Sequence, residues 1–189
     1  FLGLAFDAGF PIDWDRDFKS GYAWPNDAFF QDIPIEMDKG RELKLPWELC
    51  RFQHLSKLGQ AFRLTQDARF ADEIQEQILH WIKTHPVGQG IHWMNPMELA
   101  IRALNWLVAW EFIDVPFAKS RPGFTAALFR SLIEHGRFIR SHLEKFPGLT
   151  SNHYIADLVG LFALGIALPD WPGAEANAVR LQGDARVGA

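Results

Sequence analysis

The chain has little cysteine, little tyrosine and almost no excess of charge, and each shortage excludes a class of explanation. A single cysteine, Cys50, excludes an internal disulfide framework and any multi-cysteine metal site. Nineteen basic residues against 23 acidic ones, a net charge of −4, leave no electrostatic footprint for general nucleic-acid binding. The longest strongly apolar run, Leu158 to Leu168, is about half of the ~20 residues a membrane-spanning helix needs. No segment is compositionally biased, and 48% hydrophobic residues is too many for a disordered chain. What remains is a packed domain of 189 residues, inside the range of ~100–200 that one domain usually occupies.

The aromatic balance is unusual: eight tryptophans and sixteen phenylalanines against two tyrosines. Rings in that number fill a core or line a sugar-binding cleft. The chain starts at Phe1 rather than Met and closes on a weakly structured QGDARVGA. That reads as a fragment or processed piece, so the lack of a visible leader says nothing about export.

Residues 1–45 show little periodicity and hold Pro11, Pro25, Pro34 and several glycines, the pattern of an irregular, aromatic-rich arm. From Pro46 the pattern is helical. Leu49, Phe52, Leu55, Leu58 and Phe62 form one apolar stripe of a first helix. A second starts near Asp67, carries Phe70, Ile74, Ile78, Trp81 and Ile82, and ends at Pro86. A third begins at Asn95, with Pro96 next and Glu98 three on, the capping-box arrangement. A fourth runs from about Pro122 to His142, with Phe124, Leu128, Leu132 and Ile139 on one face. A fifth opens near Ser151 and stops before Pro169, and a weaker sixth spans Ala174 to Leu181.

The second helix has a polar side (Asp72, Glu73, Gln75, Glu76) and reads as an outer helix, whereas the third and fifth are apolar nearly all round. Alternating outer and inner helices predict an all-α fold built as a partial α/α toroid over residues 46–189.

Short loops make consecutive helices antiparallel, so the first, third and fifth begin at the same end. That parity gathers Trp47–Arg51, the stretch from Gly88 past Asn95, and Thr150–Tyr154. Glu98, Arg102 and Asn105 form a polar stripe on the third helix, and Ser151-Asn152-His153-Tyr154 opens the fifth. A helix start suits an anion, because its first amides lack partners and the dipole is positive there. Asn152 adds an amide donor and His153 a group that donates, accepts or carries charge. With Arg51 and Arg102 beside them, such a site would take an acidic sugar, with Trp93 and Trp47 offering flat apolar faces. Plainer readings stand beside these. Asn152 also fits an N-cap, Glu98 a capping box with an ion pair to Arg102, Arg51 a solvated charge, and Trp93 a core ring. Asp13, Asp15 and Asp17 imitate the start of a calcium loop, but its turn glycine would fall at Phe18 and its closing glutamate at Trp24. His80 and His85, five apart, do not share a helical face. The residue pattern therefore points to no metal and no cofactor.

Three ordered blocks carry a family resemblance: LPWELCRFQHLSKLGQAFRLTQDARFADE, HWMNPMELAIRALNWL and SNHYIADLVGLFALG, preceded by IDWDRDFKSGYAWP. Over residues 12–169 the chain resembles the N-terminal helical, alginate lyase-like domain of the heparinase II/III-like bacterial polysaccharide lyases. The resemblance implies an incomplete toroid followed by more helices and a β-sandwich absent from this chain. It implies cleavage of uronic-acid-containing polysaccharide (alginate or a glycosaminoglycan) by β-elimination, in the periplasm or outside the cell. A base removes the C5 proton and the C4 oxygen leaves. An asparagine neutralises the carboxylate, often with a histidine beside it, and these map onto Asn152 and His153. Arg51, Trp93, Glu98 and Arg102 fall in matching blocks and would line the cleft.

The family's catalytic tyrosine stands in a later block than this chain contains, so the fragment alone is expected to be inactive. A second reading, from another class, is a non-catalytic carbohydrate-binding or exopolysaccharide-assembly module on the same fold. A toroidal glycoside hydrolase ranks last, since it needs two opposed carboxylates and Glu98 supplies one.

Overall fold

A computed structural model describes residues 7–35, 40–113, 122–145, 148 and 151–168. The described residues form no strand; they contain six α-helices, two isolated bridges and two 3-10 turns. The helices are α1 (Lys44–Cys50), α2 (Leu55–Thr65), α3 (Ala68–Thr84), α4 (Pro96–Ile113), α5 (Pro122–Ser141) and α6 (Asn152–Ala167). The fold is all-α, and the expected sixth segment, Ala174 to Leu181, lies outside the described residues.

Helix starts follow local chemistry. The Asp67 carboxylate accepts the Arg69 amide at 3.0 Å and begins α3. Asn95 Oδ1 accepts the Met97 amide at 3.1 Å ahead of α4, and Ser151 Oγ accepts the Tyr154 amide at 3.1 Å ahead of α6. Each fills an amide that the first turn leaves unpaired. Buried stripes then fix the faces: Ala71, Ile74, Ile78 and Trp81 on α3, and Phe124, Leu128, Leu132 and Ile139 on α5.

The first expected helix is two. Phe52 takes the left-handed conformation, φ 58°, and ends the continuous stripe between α1 and α2. A non-glycine residue is uncommon there, and the compensation is visible. The Phe52 ring is fully buried, 4.8 Å from the Trp14 ring and 5.4 Å from that of Trp106. The Arg51 carbonyl, lost to the helix ladder, accepts the Asn105 amide at 2.8 Å. Periodicity alone carried the stripe through, because Phe52 is apolar and faces inward in either conformation.

Helix α4 is the centre of the described body and packs against α2, α3, α5 and α6. Its contact with α6 is close: a Cβ at Gly160 would stand 2.6 Å from the Ala100 Cβ. The far side of α6 is open, with Ile155, Val159, Phe162 and Ile166 about half exposed or more. Among the described residues, protein packs against this helix on its α4 and α5 faces. On α3, Gln75 is buried rather than part of the polar side. Within the described arm, Trp14 and Phe30 enter the main core and Trp24 and Ile33 a smaller cluster with Leu43 and Ile91. Among the described residues no helix is long and apolar enough to cross a membrane.

Candidate functional site

The parity argument brings three helix starts to one end, and there the structure has an open cleft of about 290 Å³. Its walls come from α1 and its C-cap (Lys44, Trp47, Glu48, then Arg51), the start of α4 (Asn95, Met97, Glu98) and the start of α6 (His153). Lys44, Trp47, Glu48 and Arg51 share a wall because their spacing is close to whole helical turns. The Trp47 indole is held by its Nε1, which donates to the Ile91 carbonyl at 2.9 Å.

Arg51 makes a two-pronged pair with Glu98, Nε to Oε2 at 2.7 Å and Nη2 to Oε1 at 2.8 Å, and its Nη1 also pairs with Glu48. Hydrogen bonds to Glu98 hold the guanidinium pKa above its ordinary value. Glu98 therefore neither closes a capping box nor binds Arg102; its carboxylate ties α4 to α1.

Glu144 bridges two of the lining residues, Met97 and His153. One of its oxygens accepts the Met97 amide at 3.2 Å, so the start of α4 already holds a carboxylate. The other accepts from His153 Nδ1 at 2.9 Å. That bond fixes the proton of a neutral His153 on Nδ1 and leaves the Nε2 lone pair for another partner. Glu144 is held in turn by Asp157, whose Oδ2 accepts the Glu144 amide at 2.9 Å. Asp157 is fully buried, and burial pushes its carboxyl up to about 7.

Asn152 is the first residue of α6, exposed, and its amide makes no side-chain hydrogen bond to a described residue. Ser151, not Asn152, is the N-cap, so capping does not account for the asparagine. It stands one residue from cleft-lining His153 and is not itself part of the cleft wall.

Two expected cleft residues are elsewhere. Arg102 is fully buried: Nε donates to His135 Nε2 at 2.9 Å, Nη2 to the His92 carbonyl at 3.1 Å, and its guanidinium lies 4.1 Å from the Trp81 ring centre. Burial lowers its pKa only to about 10, so it stays charged at neutral pH. Trp93 is 1% exposed and packs on His135 and Phe138. Neither side chain reaches the cleft, and Trp47 is the ring that does. Helical spacing put Arg102 on the Glu98 stripe, but one turn further along α4 is already inside the core.

Glu48, Glu144 and Lys44 had no sequence signal, since each is one charge among many in a polar stretch. Asp157 had one, as the single charge within an apolar helix. A second polar cluster, sealed beneath the arm, joins Asp15, His85 and His92 from separate segments.

The family profile of the heparinase II/III N-terminus matches residues 4–184, and the chain belongs to that family of polysaccharide lyase-like proteins. No curated protein and no solved structure matches the chain.

Proposed function

We propose that the cleft binds the uronate units of an acidic polysaccharide and that the full-length protein cleaves it by β-elimination. The observation that carries this reading is the state of the two helix starts at the cleft. The α4 start is already satisfied by the Glu144 carboxylate. Among the described residues the α6 start has only its serine cap, and the Asn152 amide has no side-chain partner. A substrate carboxylate beside it would meet an amide donor and the positive end of the helix dipole. Neutralising that carboxylate makes the C5 proton acidic enough to remove and stabilises the enolate-like transition state.

In this scheme Asn152 neutralises the carboxylate. His153, fixed by Glu144, assists with Nε2, as acceptor when neutral or as donor when protonated. Arg51 and Glu98 hold the wall in register, and Trp47 in place of Trp93 gives the sugar a flat face. The body is part of a larger α/α toroid of a bacterial protein that acts in the periplasm or outside the cell. The catalytic base comes from a later segment, so residues 1–189 bind without turnover.

The test mixes the full-length protein with alginate, heparan sulfate and other uronates and follows the ultraviolet absorbance of the unsaturated product. Asn152→Ala should abolish product formation while leaving the fold intact. Binding of a uronate without product would favour a non-catalytic carbohydrate module, and an Asn152→Ala variant of unchanged rate would remove the assigned role.

A further inference from the structure

The cluster beneath the arm brings one carboxylate and two imidazoles together in a sealed site. Asp15, His85 and His92 are 5%, 2% and 1% exposed. His85 Nε2 lies 3.3 and 3.2 Å from the two Asp15 oxygens, and His92 Nε2 lies 3.2 Å from Oδ1. The tautomer of His85 follows from its other nitrogen. Nδ1 is 3.1 Å from the Trp81 carbonyl and 2.9 Å from Thr84 Oγ1. The Thr84 hydroxyl spends its own hydrogen on the His80 carbonyl at 2.8 Å. Both neighbours of Nδ1 are therefore acceptors, and Nδ1 carries the hydrogen. In neutral His85 the Nε2 lone pair then points at a carboxylate, two electron-rich groups in contact inside a dry core. A positive centre between them resolves the conflict.

We infer that Asp15, His85 and His92 form a ligand set for one divalent transition-metal ion of the zinc class, which fastens the N-terminal arm to the helical body. Bonds of ~2.0–2.1 Å in tetrahedral geometry place neighbouring ligand atoms ~3.3 Å apart. Through Asp15 Oδ1 the two oxygen–nitrogen separations, 3.3 and 3.2 Å, match that edge, and the three ligand atoms all lie within 4.8 Å of one another. Further donors are near: the Trp14 carbonyl lies 3.1 Å and Cys50 Sγ 3.4 Å from His92 Nε2. Outer contacts suit the role too. Asn26 Nδ2 donates to Asp15 Oδ2 at 3.1 Å, and the Trp81 carbonyl orients His85. His92 Nδ1 has no partner among the described residues, so His92 is the weaker of the two histidine ligands. The sequence hid the set because its members lie 70 and 77 positions apart.

The protein is purified without metal-chelating resin, assayed for bound metal, stripped with EDTA, and titrated separately with Zn2+ and Co2+. The inference predicts one ion per chain, a melting temperature that rises with Zn2+ and falls with EDTA, and the visible bands of tetrahedral Co2+. Asp15→Asn should lose all three, and His85→Gln should weaken Co2+ binding more than His92→Gln. The wild-type melting shift stands even where a variant fails to fold. No retained metal, together with a melting temperature indifferent to Zn2+ and EDTA, overturns the inference. It would leave a proton on His85 as the positive centre, visible as a charged imidazole in nitrogen NMR.

Discussion

Arg51 and Arg102 flank Glu98 in the sequence picture, yet they belong to different worlds in the fold. Arg51 sits at the cleft wall, 18% exposed, with its charge matched by two carboxylates. Arg102 is sealed in the core with no carboxylate among the described residues in hydrogen-bond contact, held by a neutral histidine, a carbonyl and the face of Trp81. On the proposed function, the difference separates stability from binding. Aromatic and neutral partners let the core keep a charge in place without a rigid ion pair. At the rim, the proposal has ion pairs fix Arg51 and Glu98 while His153 and Asn152 engage the ligand.

That contrast can be broken at its strongest point first. Trp81 is fully buried and touches Arg102, His85, Trp93 and Trp106. Trp81→Ala should cost ~3–5 kcal/mol in urea unfolding. A loss below about 1 kcal/mol would mean the core is not organised around this ring. Next in size is the seam that positions the α6 start. Gly160→Ala forces a methyl into Ala100 and should destabilise by roughly 1–3 kcal/mol, and it should weaken any saccharide binding at the cleft in parallel.

The two regions should also respond to pH with opposite signs. Burial, with Arg102 nearby, holds His135 well below its ordinary value. Its unfolded form gains a proton near 6.5 that the folded form refuses, so this site loses stability as pH falls below ~6.5. Asp157 is the reverse, with a folded pKa of about 7. Its unfolded form ionises near ~3.9 while the folded form stays protonated, so this site loses stability as pH rises from ~4 to 7. Unfolding of Asp157→Asn should lack the second trend and that of His135→Gln the first, each measured as stability against pH. The mildest change is Ser151→Ala. It removes the α6 cap and should cost ~1 kcal/mol, lowering the melting temperature slightly without altering the core.

Much of the helical body was legible. Helices do start near Asp67, Asn95 and Ser151 as expected, although Ser151 and not Asn152 caps the last, and residues from the three segments gathered by hairpin parity line one cleft. The break at Phe52 was not legible, because an apolar residue at helical spacing gives no sign of a left-handed turn. Depth along a helix was also missed: Glu98 and Arg102 share a face, yet one meets the cleft wall and the other the core. Tertiary partners were the least readable. Glu144 gained its place through Met97, His153 and Asp157, and nothing in its neighbourhood of the sequence names them.

The most direct test of the uronate site is an amide and indole NMR titration of the 189-residue chain with a saturated alginate oligomer. The account predicts shifts centred on Asn152, His153 and the Trp47 indole, weakened several-fold by Asn152→Ala, with Trp93 and Arg102 still. Shifts confined to another face, or an Asn152→Ala titration indistinguishable from wild type, would contradict it.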